Sequence, residues 1–268
     1  MLQELKVLVI NLDRRPDRWA SAQKTLRNAG FKNIIRVPAV DGKLIDTDQL
    51  KQLVDPSVYG KLGKIRQNHE DLGSLGAIGC YLSHYKCWSM IMELNEPCLI
   101  VEDDLECHPK FNDFEIVKNT NPLNQYDFML LASHVREPKL LKKTIHKRIS
   151  NYHGMFFGLH FYYLTPDGAR FFAQDSLPIR YQVDSYMSFK LKETPGFRAG
   201  VHKPDLADQT DSVTDIQTLR EGDIHYITYI VLKTIRATPL KACMICVLII
   251  IIIILIICLL KILKKIHE

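Results

Sequence analysis

No segment of the 268-residue chain repeats at a period of about 20–50 residues, which excludes solenoids and propellers. Only one stretch, near the C-terminus, is low in complexity. Paired cysteine spacing is also missing from the catalytic-size part of the chain. Cys80, Cys87, Cys98 and Cys107 are scattered, so reduced structural thiols are expected there, as in a cytosolic protein. An excess of one charge is missing as well. Six Lys/Arg face two acids from Asp223 onward, leaving 29 bases against 28 acids in the chain up to Gly222. The net charge of +5 is therefore a property of the C-terminal flank and gives no reason to expect a nucleic-acid partner. A secretory leader is not expected either, because Leu5 to Ile10 runs straight into charged residues with no cleavage site.

What the C-terminus does contain is Ala242 to Leu260, ACMICVLIIIIIILIICLL, a run without a single charge. As a helix rising about 1.5 Å per residue it spans about 28 Å, near the hydrocarbon thickness of a bilayer. Lys241 precedes it, and Lys261, Lys264 and Lys265 follow. The expected organisation is a catalytic domain over 1–222, an amphipathic juxtamembrane linker over 223–241, a transmembrane helix over 242–260 and a basic tail over 261–268. A late, short anchor of this kind would leave the domain on the cytoplasmic side. Cys243, Cys246 and Cys258 lie in the apolar run, where the C-x-x-C spacing carries no metal signal.

Before Asp223, apolar runs alternate with helical patterns. Leu5 to Ile10, Asn33 to Val37, Cys98 to Val101, Tyr126 to Leu131 and Phe156 to Leu164 read as strands, with a further strand over Phe197 to Val201. Pro16 starts a helix that Gly30 ends, Gly76 to Leu94 is a second, and Pro166 to Gln174 a third. The alternation predicts an α/β fold with a mainly parallel sheet, whose ligands bind beyond the carboxyl ends of its strands.

One such end is Cys98 to Cys107, CLIVEDDLEC, where apolar residues run into Glu102, Asp103 and Asp104. Adjacent carboxylates repel, and desolvating them is unfavourable unless a cation lies between them. Glu102 and Asp104 project to the same side of an extended chain, and two hard oxygen ligands suit Mg²⁺ or Mn²⁺ shared with phosphate. A solvated acidic turn is the competing reading.

Several blocks in order resemble glycosyltransferase family 25. They are INLDRRPDR from Ile10, AVDG from Ala39, GAIGCYLSH from Gly76, LIVEDD from Leu99, HFYYLTPDGA from His160, QVDSYM from Gln182 and PDLADQTDS from Pro204. Phe161 stands where that family has a small Ala, a departure that bears on the shape of the pocket. The apolar tail lies outside the family pattern. The resemblance implies a GT-A-like nucleotide-sugar-binding fold and transfer with inversion. It implies a UDP-sugar donor, UDP-galactose ahead of UDP-glucose, and a glycan, glycolipid or glycoprotein acceptor.

An inverting transfer needs a base for the acceptor hydroxyl and something to neutralise the departing diphosphate. Glu102 and Asp104 are the expected metal ligands, with His202 a late-chain candidate for completing the site. Asn11, Asp13, Arg14 and Arg18 follow the first strand and are candidates for the nucleotide, Arg being suited to diphosphate; a solvated first helical turn competes. Asp103 either bonds the ribose or points back into the fold. Gln209 is a candidate donor contact. Ser83, His84, His160 and Ser212 are pocket candidates, although a helical His is often structural and Ser212 also suits a helix cap. Asp184 is the expected base, with an N-cap role as the competing explanation. A membrane-anchored binder that transfers nothing and a metal-dependent phosphohydrolase are the readings from other classes.

Overall fold

The computed structural model describes residues 1–63 and 68–210. They fall within the first of two compact units, Met1–Gln217. The expected anchor over 242–260, its linker and Ser212 lie outside the described residues. Among the described residues no helix is long and apolar enough to cross a membrane.

The chain opens with β1 (Lys6–Asn11), α1 (Pro16–Asn28) and β2 (Asn33–Pro38). Pro16 sits at the first turn of α1, where its missing N–H leaves no bond unmade, and Gly30 follows the helix at a φ of 95°. Two short helices come next, α2 (Thr47–Leu53) and α3 (Pro56–Tyr59). Asp46 caps α2 through a reciprocal box with Gln49. The long α4 (Leu75–Leu94) starts at Ser74, whose hydroxyl accepts from Ala77 N, and ends at Asn95 in the left-handed region.

After it run β3 (Cys98–Glu102), β4 (Leu105–Cys107), α5 (Glu115–Lys118), β5 (Phe128–Val135), β6 (Lys142–Lys143) and β7 (Ile149–Asn151). The described residues close with β8 (Phe156–Leu164), α6 (Pro166–Ala173), α7 (Val183–Glu193), β9 (Ala199–His202) and β10 (Ala207–Gln209).

Eight strands form one sheet in the order β2-β1-β3-β8-β5-β9-β7-β6. β2, β1, β3, β5 and β9 share a direction, as the alternation predicts. β8 does not: it runs against both β3 and β5, so the parallel ladders are β1–β2, β1–β3 and β5–β9. The sheet is therefore mixed. Reversal of β8 sets Phe161 opposite Val101, so the N-terminal half of β8 lies beyond the paired end of β3. β4 and β10 make a separate antiparallel ribbon just beyond β3.

Apolar side chains bury on both faces. Tyr162 and Leu164 of β8 join α4, α6 and α7 in one core, while Phe161 and Tyr163 join α1 and α5 in the other. Phe161 accordingly packs edge-on toward Phe31. It sits in the core layer opposite His160, so the residue expected to shape the pocket shapes the core instead.

Candidate active site

The carboxyl ends of β1, β2 and β3 lie side by side, with Ile10 opposite Glu102 and Asn11 opposite Pro38. Asn11 is buried. Its amide donates to Asp103 Oδ2 at 2.7 Å and to the Arg15 carbonyl at 2.9 Å, and its oxygen accepts from Arg36 Nε at 2.8 Å. Asp103 also pairs with Arg18 at 3.1 Å. Burial pushes its carboxyl upward, against the pull of Asn11 and Arg18. Asp103 thus points back into the fold and ties the acidic turn to the start of α1. Asp13 pairs with Arg36 and is largely exposed, and Arg14 pairs with Asp41 at 2.8 Å.

The other two carboxylates remain crowded. The Gln209 amide donates toward both, at 3.2 Å to Glu102 Oε2 and 3.4 Å to Asp104 Oδ1. A neutral donor thus lies where a cation would relieve the repulsion. Burial, then the charge of Glu102, pushes Asp104 from its ordinary 3.8 up to about 7. Burial would raise Glu102 too, but His84 beside it brings it below the usual range. A carboxyl so displaced loses at most about 4 kcal/mol as a carboxylate. The buried Leu99, Ile100 and Val101 of β3 each contribute roughly 1.5–3 kcal/mol, enough together to hold the acidic end in place. An all-oxygen pair with an uncompensated charge fits a hard cation such as Mg²⁺ or Mn²⁺.

Cys80 and His84 of α4 stand against Glu102, with one ligand atom from each of the three within 4.8 Å of the others. Tyr162 holds His84 Nδ1 at 2.9 Å. The other ring nitrogen, Nε2, lies 3.4 Å from Glu102 Oε1 without the alignment of a hydrogen bond. His84 therefore stands within this cluster, while the hydroxyl of Ser83 beside it donates to the Gly79 carbonyl and accepts from Val40 N. This link closes the loop after β2 onto α4. A Cβ at Gly79 would lie 2.5 Å from the Val40 carbonyl, and one at Gly42 would lie 1.7 Å from the Leu75 carbonyl. Glycine in the AVDG and GAIG blocks is what lets the two backbones meet.

His160 is buried near the same cluster; burial lowers its pKa, and its Nδ1 has no hydrogen-bond partner. His202 is placed differently. It donates to or accepts from no carboxylate of the acidic turn: Nδ1 bonds the Pro204 carbonyl at 2.9 Å, and the ring packs edge-on against Phe114. Burial lowers it to about 4. It is not one of the three clustered ligands.

Asp184 lies in the first turn of α7, just inside the cap position held by Gln182, and its carboxylate satisfies a first-turn N–H. Its Oδ2 accepts from Gly158 N at 3.2 Å and meets His69 Nε2 at 3.2 Å, while Oδ1 accepts from Ser185 N at 2.7 Å. Its charge adds to the upward push on the Cys80 thiol and on Glu102. The His69 ring stacks on Phe157 with centroids 3.4 Å apart. Sequence reasoning missed His69, which lies in a stretch without periodicity or motif. It also treated Cys80 as structural.

In a mixed α/β domain of this kind ligands bind beyond the carboxyl ends of the strands, where the acids lie. The sequence model for glycosyltransferase family 25 (LPS biosynthesis protein) matches residues 4–187, and the chain belongs to that family. A glycosyltransferase 25 family member of Drosophila melanogaster is 34% identical over 128 residues, 46% of this chain and 20% of the relative. Human procollagen galactosyltransferase 2 is 29% identical over 147 residues, 54% of this chain and 23% of the relative. The match thus spans about a fifth of the length of these curated relatives. Among solved structures, a glycosyltransferase involved in the glycosylation of the major capsid of PBCV-1 aligns with a TM-score of 0.41 and 9% identity, over 79% of this chain and 94% of that one.

Proposed function

We propose that the chain is an inverting glycosyltransferase with a GT-A-like donor site. In this reading it moves a hexose, galactose ahead of glucose, from a UDP-sugar to a glycan, glycolipid or glycoprotein acceptor. The observation that supports this most directly is the pairing of Glu102 with Asp104 at the end of β3, both within reach of the Gln209 amide, in a family 25 chain. Mn²⁺ or Mg²⁺ held by these two carboxylates would supply charge neutralisation for the departing diphosphate. Arg18 and Asn11 act through Asp103, fixing the turn that carries Asp104. Arg14, beside Asp41, is the arginine proposed for the diphosphate. Asp184 is the proposed base: its carboxylate is held by backbone N–H donors and meets His69 Nε2 at 3.2 Å. The apolar run at 242–260 would anchor the enzyme with this domain on the cytoplasmic side.

The test is an assay of UDP-galactose and UDP-glucose turnover by the full chain in detergent, with and without Mn²⁺ and an acceptor. Metal-dependent release of UDP is expected. Release of inorganic phosphate without UDP would point to a phosphohydrolase, and binding without turnover to a lectin-like module.

A further inference from the structure

We propose that Cys80, His84 and Glu102 form a binding site for a zinc-type cation, distinct in chemistry from the carboxylate pair and sharing Glu102 with it. Cys80 and His84 are four residues apart on α4, so they lie on one face of the helix. Glu102 reaches them from the end of β3, and one ligand atom from each lies within 4.8 Å of the other two. Tetrahedral zinc, with bonds of about 2.0–2.3 Å, places its ligands roughly 3.3–3.8 Å apart. Drawing in by about 1 Å would close the set.

The second observation is His84 itself. Its side chain is 1% exposed, and its Nε2 lies 3.4 Å from Glu102 Oε1 without making a hydrogen bond to it or to any other group. The ring cannot turn freely to find one. Tyr162 holds Nδ1 at 2.9 Å, and Trp88 donates to the same phenol at 3.2 Å. An outer hydrogen bond at the far nitrogen is how proteins orient a ligating imidazole. Cys80 is partly exposed as a residue, while burial and the nearby carboxylates push its thiol upward, so the ion would have to draw off its proton.

The donor types separate the two sites. Thiolate and imidazole select zinc or cobalt over Mg²⁺ and Mn²⁺, whereas Glu102 with Asp104 is an all-oxygen pair. Glu102 turns one oxygen to each: Oε1 faces His84 and Oε2 faces Gln209. On binding, the Cys80 thiol releases its proton to solvent, and thiolate plus carboxylate balance the two positive charges of the ion.

Co²⁺ is the probe, added to the full chain in detergent under reducing conditions. A sulfur-to-cobalt charge-transfer band in the near ultraviolet is expected, bleached by Zn²⁺ and kept in excess Mg²⁺. Cys80→Ser should remove the band and weaken Zn²⁺ binding at least about 100-fold, beyond the 10–100-fold typical of an outer partner. Circular dichroism without metal checks that the variant is folded; Cys80→Ala replaces it if it is not. Alkylation of Cys80 in the unmutated protein, followed by mass spectrometry, should be slowed by Zn²⁺. No band in the unmutated protein, a band unchanged in Cys80→Ser, or alkylation indifferent to Zn²⁺ would each overturn the proposal.

Discussion

At Asp104 the folded environment holds a proton that the unfolded chain releases. Its pKa goes from an ordinary 3.8 up to about 7, so the folded state binds more protons between those values. Stability of the metal-free protein is then expected to fall as pH rises from about 4 to 7 and to level off above, as far as this group decides it. Asp104→Asn removes the repulsion. Thermal melts at pH 8 should show the variant more stable than the parent by on the order of 1–2 kcal/mol, discounted for partial exposure, with the gain vanishing near pH 4. The same change should lower Mn²⁺-dependent transfer at least about 10²-fold, the scale of a single electrostatic contact in an active site. A folded variant with ordinary turnover would remove Asp104 from the site. Asp184→Asn makes a different prediction. It should lower kcat by about 10²-fold or more while leaving UDP affinity, read by calorimetry, within about twofold. Loss of UDP binding instead would make Asp184 a donor contact.

Elements with a strong local signal were legible from the residues alone. β1, α1, α4, β3, β8 and α6 lie where apolar runs, Pro16, Pro166 and the strand-end acids place them. The capping box of Asp46 and Gln49 is written in the sequence too, yet α2 was not anticipated, because so short a helix has too few periodic positions to stand out. The direction of β8 could not be read. A buried strand carries the same apolar run whichever way it pairs, and both its partners, β3 and β5, lie well upstream with other elements between. Ser83 shows the same limit within one helix: a hydroxyl aimed at Val40 N and one aimed at a ligand have the same sequence. The contact between α4 and the loop after β2 makes its own prediction. Gly79→Ala would place a Cβ against the Val40 carbonyl, so a loss of about 1–3 kcal/mol in denaturant unfolding is expected. Donor affinity should weaken with it, since Arg14 is held by Asp41 on that same loop. A variant as stable as the parent would show that the loop relaxes at no cost.

For the molecule as a whole, the compact unit Met1–Gln217 contains every site residue described. A protein cut after Gly222 is expected to stay in the aqueous phase and to bind UDP with Mn²⁺, while the full chain partitions into detergent. Phase separation with Triton X-114 followed by immunoblotting checks this; both forms remaining aqueous would contradict the anchor.

The amide of Gln209 that bridges the two carboxylates comes 105 residues after Asp104 in the chain. At about 5–20 residues per second of synthesis, roughly 5–20 s separate the arrival of the acids from that of the group that quiets them. For part of that time β3 also waits for β8, the neighbour on its far edge. A ribosome-bound intermediate thus carries an open strand edge ending in three acids, and their mutual repulsion works as a guard against the edge-to-edge pairing that an apolar run of CLIV would otherwise invite.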